Sequence, residues 1–288
     1  MSKQLLALLK RSLDETSTSN GGDAEVRRNV LKEELQYFVL NFIYHHRDYS
    51  SWIMYGGSAL RIIHGLDRMS VDLDFEITHT VSDEFLGNLK KEIEDHFVTT
   101  YLASIDFLSI KITSERGLTL KFILPEELSF GHPSRQIHVK IDLNHFVAPK
   151  TIVTERKPIN RNQLSFVILT YDMPALMASK IAAIFQRGSR GVGTVRYNEK
   201  GRDIYDLLWY MSKKILPDFN YLQAKNVTEA KNMSTLLNNL TSKMDMVSDE
   251  NLKQDLFPLF INHTYIEHWL ANWRESFLAL RNDYQSSK

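Results

Sequence analysis

The segment from residue 52 to residue 77 constrains the fold of this chain most strongly. "WIMY" is a short apolar run that ends at two glycines, which predicts a buried strand that enters a turn. "ALRII" continues as a helix, and "VDLDFEI" alternates apolar and acidic residues with the period of two typical of a strand. This segment therefore predicts the start of a domain in which strands and helices alternate.

Further strands follow this segment along the chain. A helix is predicted from Ser82 to about residue 97, and β-rich segments occupy 104–113, 118–124 and 136–146. Glu115–Gly117 lies between the first two of these strands and is typical of a hairpin turn. The polar residues 14–24, with paired glycines, are predicted to form a loop.

The pattern becomes helical after about residue 171. "MPALMASKIAAIFQR" has proline near its first turn and continues as an alanine-rich helix, and "RDIYDLLWYMSKK" predicts a second helix. We therefore predict an α+β chain in which residues 1–168 form a mixed sheet flanked by helices. Residues 169–288 are predicted to form a helical domain that contributes to the site.

The composition excludes several classes of protein. The 35 basic and 35 acidic residues give a net charge of zero, which argues against a protein coated with positive charge but allows local basic sites. The absence of cysteine excludes disulfides and thiolate metal sites. The N-terminal residues lack the features of a signal peptide, and no apolar run approaches the ~20 residues of a membrane helix. We therefore expect a cytoplasmic protein that does not contact a membrane.

Three aspartates are the candidate metal ligands. Asp72 and Asp74 lie at positions i and i+2 of a predicted strand, so they point to the same face. Asp142 lies within another apolar strand, where an acid is costly to bury unless it is paired or bound to a metal. Convergence of the three would suit Mg²⁺, or Mn²⁺ in its place, with a substrate phosphate as a further ligand. The alternative is that these acids face water at ordinary strand edges.

Gly56, Gly57 and Ser58 are the candidate phosphate-binding residues. Glycine allows close approach of the backbone to a ligand, and a helix N-terminus offers free N–H groups to an anion. Ser58 would donate its hydroxyl or cap the helix. The residues form neither a Walker A loop nor a dinucleotide fingerprint, and taken alone they also fit a plain turn.

In combination these features resemble the nucleotidyltransferase superfamily of the DNA polymerase β type. More narrowly, "GGSALRIIHGLDRMSVDLDF" is similar to the AbiEii/AbiGii-type toxin nucleotidyltransferases. The second part of that match consists of Arg68, Ser70, Asp72, Asp74 and Phe75. Downstream, "ALMASKIAAIFQRG" supplies the family's helical lysine, and "GRDIYDLLWY" supplies its Arg-Asp-x-x-Asp-Leu motif. The resemblance covers about residues 50–210.

The resemblance implies an activity and a biological role. It implies Mg²⁺-dependent transfer of a nucleoside monophosphate from an NTP to an acceptor hydroxyl, with release of pyrophosphate. It also implies the toxin component of a bacterial toxin–antitoxin or abortive-infection system, whose partner is a separately encoded antitoxin protein. In some relatives the acceptor is the 3′ end of tRNA, and the modification blocks translation.

The resemblance also implies roles for individual residues. The catalytic residues would be Asp72, Asp74, Asp142, Lys180 and Asp203. The nucleotide-binding residues would be Gly56, Gly57, Ser58, Arg68, Lys180 and Arg187.

Several of these roles have plainer alternatives. Lys180 would reach the β- and γ-phosphates as a point charge, or it is a surface lysine whose stem packs on the helix. Asp206 is interpreted as structural, paired with a basic neighbour. The glycine-rich basic segment 187–202 suits a triphosphate or an RNA backbone, or is a plain loop. Two competing functions also remain, namely a small-molecule nucleotidyltransferase of the antibiotic-modifying type and a non-catalytic nucleotide-binding module.

Overall fold

The chain forms two compact units in the computed structural model. The first unit comprises Met1–Val147 and Arg156–Thr170, and the second comprises Ala148–Glu155 and Tyr171–Lys288. The predicted domain division at residue 168 stays a prediction; the chain passes for the last time from the first unit to the second between residues 170 and 171. The structure describes residues 2–17, 24–113, 116–130, 132–188, 190–192, 195–197 and 199–286.

The first unit contains four helices among its described residues and most of a mixed sheet. The helices are α1 (Lys3–Ser17), α2 (Ala24–His45), α3 (Gly56–His64) and α4 (Asp83–Thr100). The strands are β1 (Ile53–Tyr55), β2 (Asp72–Ile77), β3 (Leu108–Thr113), β4 (Gly117–Ile123), β5 (Gln136–His145), β6 (Thr154–Arg161) and β7 (Leu164–Tyr171). Short 3₁₀ turns occupy Ile105–Phe107 and Glu126–Leu128.

The seven strands lie in the order β3-β4-β5-β2-β1-β7-β6. β2 runs parallel to β5 and antiparallel to β1. β4 runs antiparallel to both β3 and β5. β1 and β7 are parallel. The sheet is therefore mixed, and the strand that carries Asp72 and Asp74 lies near its centre.

One face of the sheet in the first unit is apolar. Alternate residues of β4 and β5 are fully buried, as expected for strands with one face against helices. The ring of Phe97 on α4 lies 5.4 Å from that of Phe122 on β4, and Tyr44 on α2 lies 6.4 Å from Phe75 on β2. α2 and α4 therefore cover this face, and the polar residues of the same strands point to the opposite face.

The second unit is mostly helical. Its described helices are α5 (Met173–Gln186), α6 (Gly201–Ser212), α7 (Phe219–Ala224), α8 (Met233–Asp245), α9 (Asp249–Leu256) and α10 (His263–Ser286). A 3₁₀ turn occupies Phe257–Leu259, and β8 (Arg190–Val192) pairs with β9 (Val195–Tyr197). α6 packs against α5, α9 and α10, so it is the central helix of this unit.

Most predicted elements are confirmed, including the mixed sheet followed by helices. Two predictions are wrong. No separate glycine turn follows β1, because α3 begins directly at Gly56. The basic segment 187–202 is not all loop, because it contains β8 and β9.

Other predictions fall partly outside the described residues. Within the predicted loop 14–24, α1 continues to Ser17 and α2 begins at Ala24, while residues 18–23 lie outside the described residues. Of the predicted hairpin turn, residue 115 also lies outside them, and Gly117 is the first residue of β4. Within the part of the chain that the structure describes, no helix has the length and apolar character needed to cross a membrane.

Candidate active site

The three candidate aspartates lie on two neighbouring parallel strands of the first unit. Asp74 on β2 is directly opposite Asp142 on β5, and Asp72 lies two residues before Asp74. In-register residues on adjacent strands point to the same face about 4.8 Å apart, and all three are half-buried. We call Asp72, Asp74 and Asp142 the acidic face. The register confirms that the strand of Asp142 lies beside the strand of Asp72 and Asp74.

Negative charge is concentrated around Tyr55 at the end of β1. Tyr55 is in register with Asp74 on the side opposite to β5. Its hydroxyl accepts a hydrogen bond of 2.8 Å from the amide of Asn144. Burial raises the pKa of Tyr55 well above its usual value, and the carboxylates of Asp74, Glu76 and Asp142 raise it further. A cation that binds the acidic face would relieve this accumulation of charge.

Gly56 lets the backbone approach the acidic face closely. Its φ is +74°, and a Cβ atom on it would lie 2.7 Å from Oδ2 of Asp74. Any larger residue would therefore be strained and would displace that carboxylate. Gly56 is half-buried, whereas Gly57 and Ser58 are buried. Of the three predicted phosphate-binding residues, Gly56 is therefore the most exposed.

Ser58 does not cap the helix. The N-cap of α3 is Tyr55, whose side chain makes no capping hydrogen bond. The hydroxyl of Ser58 is fully buried and forms no hydrogen bond within the described residues. The helix start therefore keeps first-turn N–H groups that no side chain of the N-cap satisfies. The phosphate-binding role of these residues stays a prediction.

Arg68 lies beneath the start of α3. Its side chain is only 2% exposed, and its Nη1 donates a hydrogen bond of 3.0 Å to the carbonyl of Met69. A Cβ on Gly57 would lie 2.5 Å from Nη2 of Arg68 and 3.2 Å from Oγ of Ser70. The absence of a side chain at position 57 therefore leaves the space that the guanidinium of Arg68 occupies. This placement supports a role for Arg68 in holding the helix start rather than in touching a nucleotide.

In the second unit, Lys180 lies in a buried network of ion pairs. Its Nζ is 2.9 Å from Oδ1 of Asp203 and 2.8 Å from Oδ2 of Asp206. Asp203 also accepts hydrogen bonds from Arg187, whose Nη2 is 2.8 Å and whose Nε is 3.0 Å from Oδ2. The pairing of Asp206 with a basic neighbour is confirmed. Lys180 is not a surface lysine, because its side chain is only 8% exposed.

The charge of Asp203 is fixed by this network. Burial opposes its ionisation, but the nearby cations Lys180 and Arg187 outweigh burial, so the pKa of Asp203 falls well below its usual value. A general base needs a pKa near the working pH. The low pKa therefore argues against Asp203 as a base and favours a role in positioning Lys180 and Arg187.

A pocket of about 260 Å³ lies beside this network, wholly within the second unit. Cationic side chains from the end of α5, the residue before α6 and α8 line it, together with apolar side chains from α5, α6 and the segment after α8. The lining residues with charge are Arg187, Glu199, Lys200, Asp203 and Lys243. Gly201 fixes the start of α6 at this pocket, because its N–H donates a hydrogen bond of 2.7 Å to Asp255 on α9.

The comparison with known families extends over most of the chain. The family described as nucleotidyl transferase AbiEii toxin, type IV toxin–antitoxin system, matches residues 39–280. The chain belongs to the AbiEii nucleotidyltransferase toxin family. It is therefore a nucleotidyltransferase, as the motif resemblance predicts.

Solved structures resemble this AbiEii-family chain over nearly its whole length. MenT4, a nucleotidyltransferase toxin from Mycobacterium tuberculosis H37Rv, is 15% identical with a TM-score of 0.53, over 97% of this chain and 91% of that one. JHP933 from Helicobacter pylori is 14% identical with a TM-score of 0.47, over 90% and 94%. The likeness to MenT4 shows a shared fold. No curated protein matches the chain in sequence.

The acidic face of this AbiEii-family toxin offers oxygen donors only, which suits Mg²⁺ or Mn²⁺. Within the described residues, no three His, Cys, Asp or Glu side chains are gathered into a group that could hold a metal ion. The expected convergence of three carboxylates is thus present in the strand register but not as a closed cluster. Mg²⁺ generally needs only one or two carboxylates plus phosphate oxygens and water, and the pair Asp74 and Asp142 provides them.

Tyr55, Glu76 and Asn144 are not among the site residues predicted from the sequence. Glu76 and Asn144 lie two residues beyond Asp74 and Asp142, on the same strand face, so the period of two already points to them. Tyr55 is the last residue of β1, and its position opposite Asp74 depends on a strand pairing that the local sequence does not specify.

Proposed function

We propose that this AbiEii-family toxin transfers a nucleoside monophosphate from an NTP to the 3′ hydroxyl of tRNA, which blocks translation. The reaction would depend on Mg²⁺, for which Mn²⁺ would substitute. The observation that carries the proposal is the register of Asp74 opposite Asp142, with Gly56 at the start of α3 against the Asp74 carboxylate. This arrangement supports the proposal, because it brings carboxylates beside a helix N-terminus, where a phosphate chain would meet both a bound cation and backbone N–H groups.

The proposed step is a substitution at phosphorus. The acceptor oxygen forms a bond to the α-phosphorus, the bond from that phosphorus to the β-phosphate bridging oxygen breaks, and pyrophosphate leaves. The hydroxyl proton passes to Asp142, the carboxylate of the acidic face that β5 carries. Divalent cations, when bound, neutralise the charge of the triphosphate and of the developing transition state. The chain contributes mainly positioning, because Asp72, Asp74 and Asp142 are fixed by strand register.

We propose that Arg187, in the second unit, contacts the nucleotide and that Lys180 and Asp203 hold Arg187 in position. Arg187 is the most exposed member of the ion-pair network, with its side chain 33% exposed, and it lines the pocket. Its planar guanidinium suits phosphate oxygens. Lys180 is held by two carboxylates, so its positive charge serves to keep Asp203 ionised and Arg187 in place.

The family assignment implies an antitoxin partner. We propose that it is a separately encoded protein and that both act in the cytoplasm. The absence of a membrane-crossing helix within the described residues is compatible with this location.

The test is incubation of the purified chain with each labelled NTP and total cellular RNA in the presence of Mg²⁺. We expect one NTP to label a band of tRNA size at its 3′ end. Asp74→Asn should abolish labelling, while Asp95→Asn, a matched change at an exposed residue of α4, should leave it unchanged. Chelation of divalent cations should also abolish labelling.

Three outcomes would contradict the proposal. Labelling that survives in Asp74→Asn would refute the role of the acidic face. Labelling of another RNA class would refute the acceptor. If no RNA is labelled with any NTP, a small-molecule acceptor or a non-catalytic binding role becomes the better explanation.

A further inference from the structure

A row of cations lies on the polar face of the sheet in the first unit. Lys121 on β4 is in register with His138 on β5. Lys111 on β3 and Lys140 on β5 are both in register with Thr119 on β4, two residues before Lys121. In-register residues point to the same face, so all four side chains share the face opposite to the one that α2 and α4 cover. We call Lys111, Lys121, His138 and Lys140 the basic row.

The basic row is open to solvent. Lys111, His138 and Lys140 are exposed and Lys121 is half-buried, whereas the residues between them on β4 and β5 are buried on the other face. Within the part of the chain that the structure describes, none of the three lysines forms an ion pair. Their ammonium groups therefore make no direct contact with a carboxylate of the described chain.

The surroundings of His138 report how strongly positive this region is. Its pKa is lowered by burial and then by four cations, namely Lys121, Lys32, Arg28 and Lys140. Arg28 is held near the start of β5 by hydrogen bonds to the carbonyls of Ser134 and Gln136. Arg28 and Lys32 of α2 therefore add to the positive charge near His138, the end of the basic row that lies away from the acidic face.

The other end of the basic row meets the acidic face. Lys140 is in register with Asp72 on β2 and precedes Asp142 by two residues on its own strand. At about 3.3 Å per residue, this separation is about 7 Å along β5. A chain of phosphates bound along the row would therefore end at the carboxylates.

We propose that the basic row binds the phosphate backbone of a single-stranded RNA end and leads its 3′ hydroxyl to the acidic face. This inference rests on the proposed function and adds the path of the acceptor. The face between the lysines carries the small side chains of Ser109 and Thr119 rather than aromatic rings. Such a surface binds phosphates and does not stack bases, so recognition along the row is independent of base sequence.

The experiment measures binding of a fluorescently labelled oligouridylate at several salt concentrations, without NTP. The test variant replaces the three lysines of the basic row by glutamine. Each phosphate contact on a single strand contributes about 0.7 to the slope of log affinity against log salt, so three lost contacts lower the slope by about 2 and the affinity by about 50-fold at about 0.15 M salt. The arginine version of the same triple variant should keep both values.

The matched control is a triple lysine-to-glutamine variant on α1 and α4, with the same change in net charge. Surface changes of this kind alter stability by less than about 0.5 kcal/mol, and circular dichroism on heating checks that both variants fold. We expect the control to bind RNA with the wild-type slope. The control residues are Lys3, Lys90 and Lys91.

Several outcomes would overturn the inference. One is an unchanged salt slope in the test variant, and another is a loss of RNA affinity in the control variant as large as that in the test variant. A third is a wild-type chain that does not bind RNA, which would make an acidic protein surface the better ligand for the basic row. Binding of labelled ATP is measured in parallel. A loss for ATP as large as that for RNA would assign the row to the triphosphate. Because no chemistry is needed, failure of RNA labelling by the wild type would refute the proposed function and leave this binding result standing.

Discussion

Replacing Lys180 by methionine tests whether this lysine holds the second unit together. Its Nζ lies within 2.9 Å of carboxylate oxygens of both Asp203 and Asp206, and the side chains of these three residues are no more than 8% exposed. Methionine keeps the length and apolar stem of lysine but removes the ammonium. The family resemblance alone predicts weaker nucleotide binding with an intact fold. The buried network instead predicts a loss of stability.

The expected loss follows from the burial of the partners. Removing one member of a buried ion pair costs about 3–5 kcal/mol, because the remaining charge is left in a site without water. Asp203 keeps its two contacts with Arg187, so the loss arises mainly at Asp206, which is fully buried. We therefore expect a loss of about 3 kcal/mol, a large share of the roughly 5–15 kcal/mol that stabilises a typical domain. Combining Lys180→Met with Asp206→Asn should cost about 2 kcal/mol less than the sum of the single variants.

The assay is urea unfolding of chains labelled with fluorotryptophan and observed by fluorine NMR. Trp209, Trp269 and Trp273 belong to the second unit and Trp52 to the first, so the method reports each unit separately. With a urea slope of about 2 kcal/mol per M, a loss of 3 kcal/mol lowers the midpoint of the second unit by about 1.5 M.

The control is Lys243→Met, which makes the same chemical change in the same unit. Within the described residues Lys243 forms no ion pair, so its replacement should change stability by less than about 0.5 kcal/mol. A midpoint for Lys180→Met equal to that of the wild type would refute the reasoning. So would a double variant whose loss equals the sum of the single losses.

Three further predictions concern the acidic face, the helix start and acid stability. Asp142→Asn should abolish nucleotide transfer and, in chelator, stabilise the first unit by roughly 0.2–1 kcal/mol by removing a like charge opposite Asp74; a lower melting temperature would contradict this. Gly56→Ala should destabilise by at least about 1–2 kcal/mol because of its positive φ. By contrast, Gly87→Ala, with open space around it in α4, should stabilise the protein by about 0.5–1 kcal/mol. Changes in melting temperature of the same sign for both variants would refute this. Because the pKa of Asp203 is lowered by folding, its charge stabilises the protein fully at pH values above the usual carboxyl pKa of about 4, and this stabilisation is lost as the pH falls further. A urea midpoint that does not fall on acidification would contradict this prediction.

The sequence is sufficient to predict that Asp72 and Asp74 share one strand face, because a strand period is a local property. Asp72 and Asp74 share a face wherever the strand lies, and the structure confirms the strand at Asp72–Ile77. The parallel pairing of β2 with β5 is not local, since it joins segments more than sixty residues apart. The approach of Asp142 to Asp74 was therefore a hypothesis in the sequence and a result in the structure.

The environment of Lys180 was beyond sequence reasoning for the same physical reason. Helical spacing places Lys180 on α5, but its burial depends on α6, which supplies both carboxylates. Strands β6 and β7 were also not predicted, although Leu164–Tyr171 is rich in β-branched and aromatic residues. Their proximity to the onset of the helical pattern led to a predicted boundary at residue 168, within β7.

Zero net charge does not exclude a nucleic-acid surface in this chain, because the sheet separates its charges by position. On β5, Lys140 and Asp142 point to the same face two residues apart, and they contribute nothing together to the net charge. Their local fields differ in sign, so the exposed lysine suits an anion such as phosphate and the half-buried aspartate suits a cation. A nucleotidyltransferase that acts on RNA needs both at short range: a positive surface to hold the acceptor, and a negative site for the metal that the incoming triphosphate shares. Composition averages these two requirements to zero, whereas strand register keeps them adjacent and distinct.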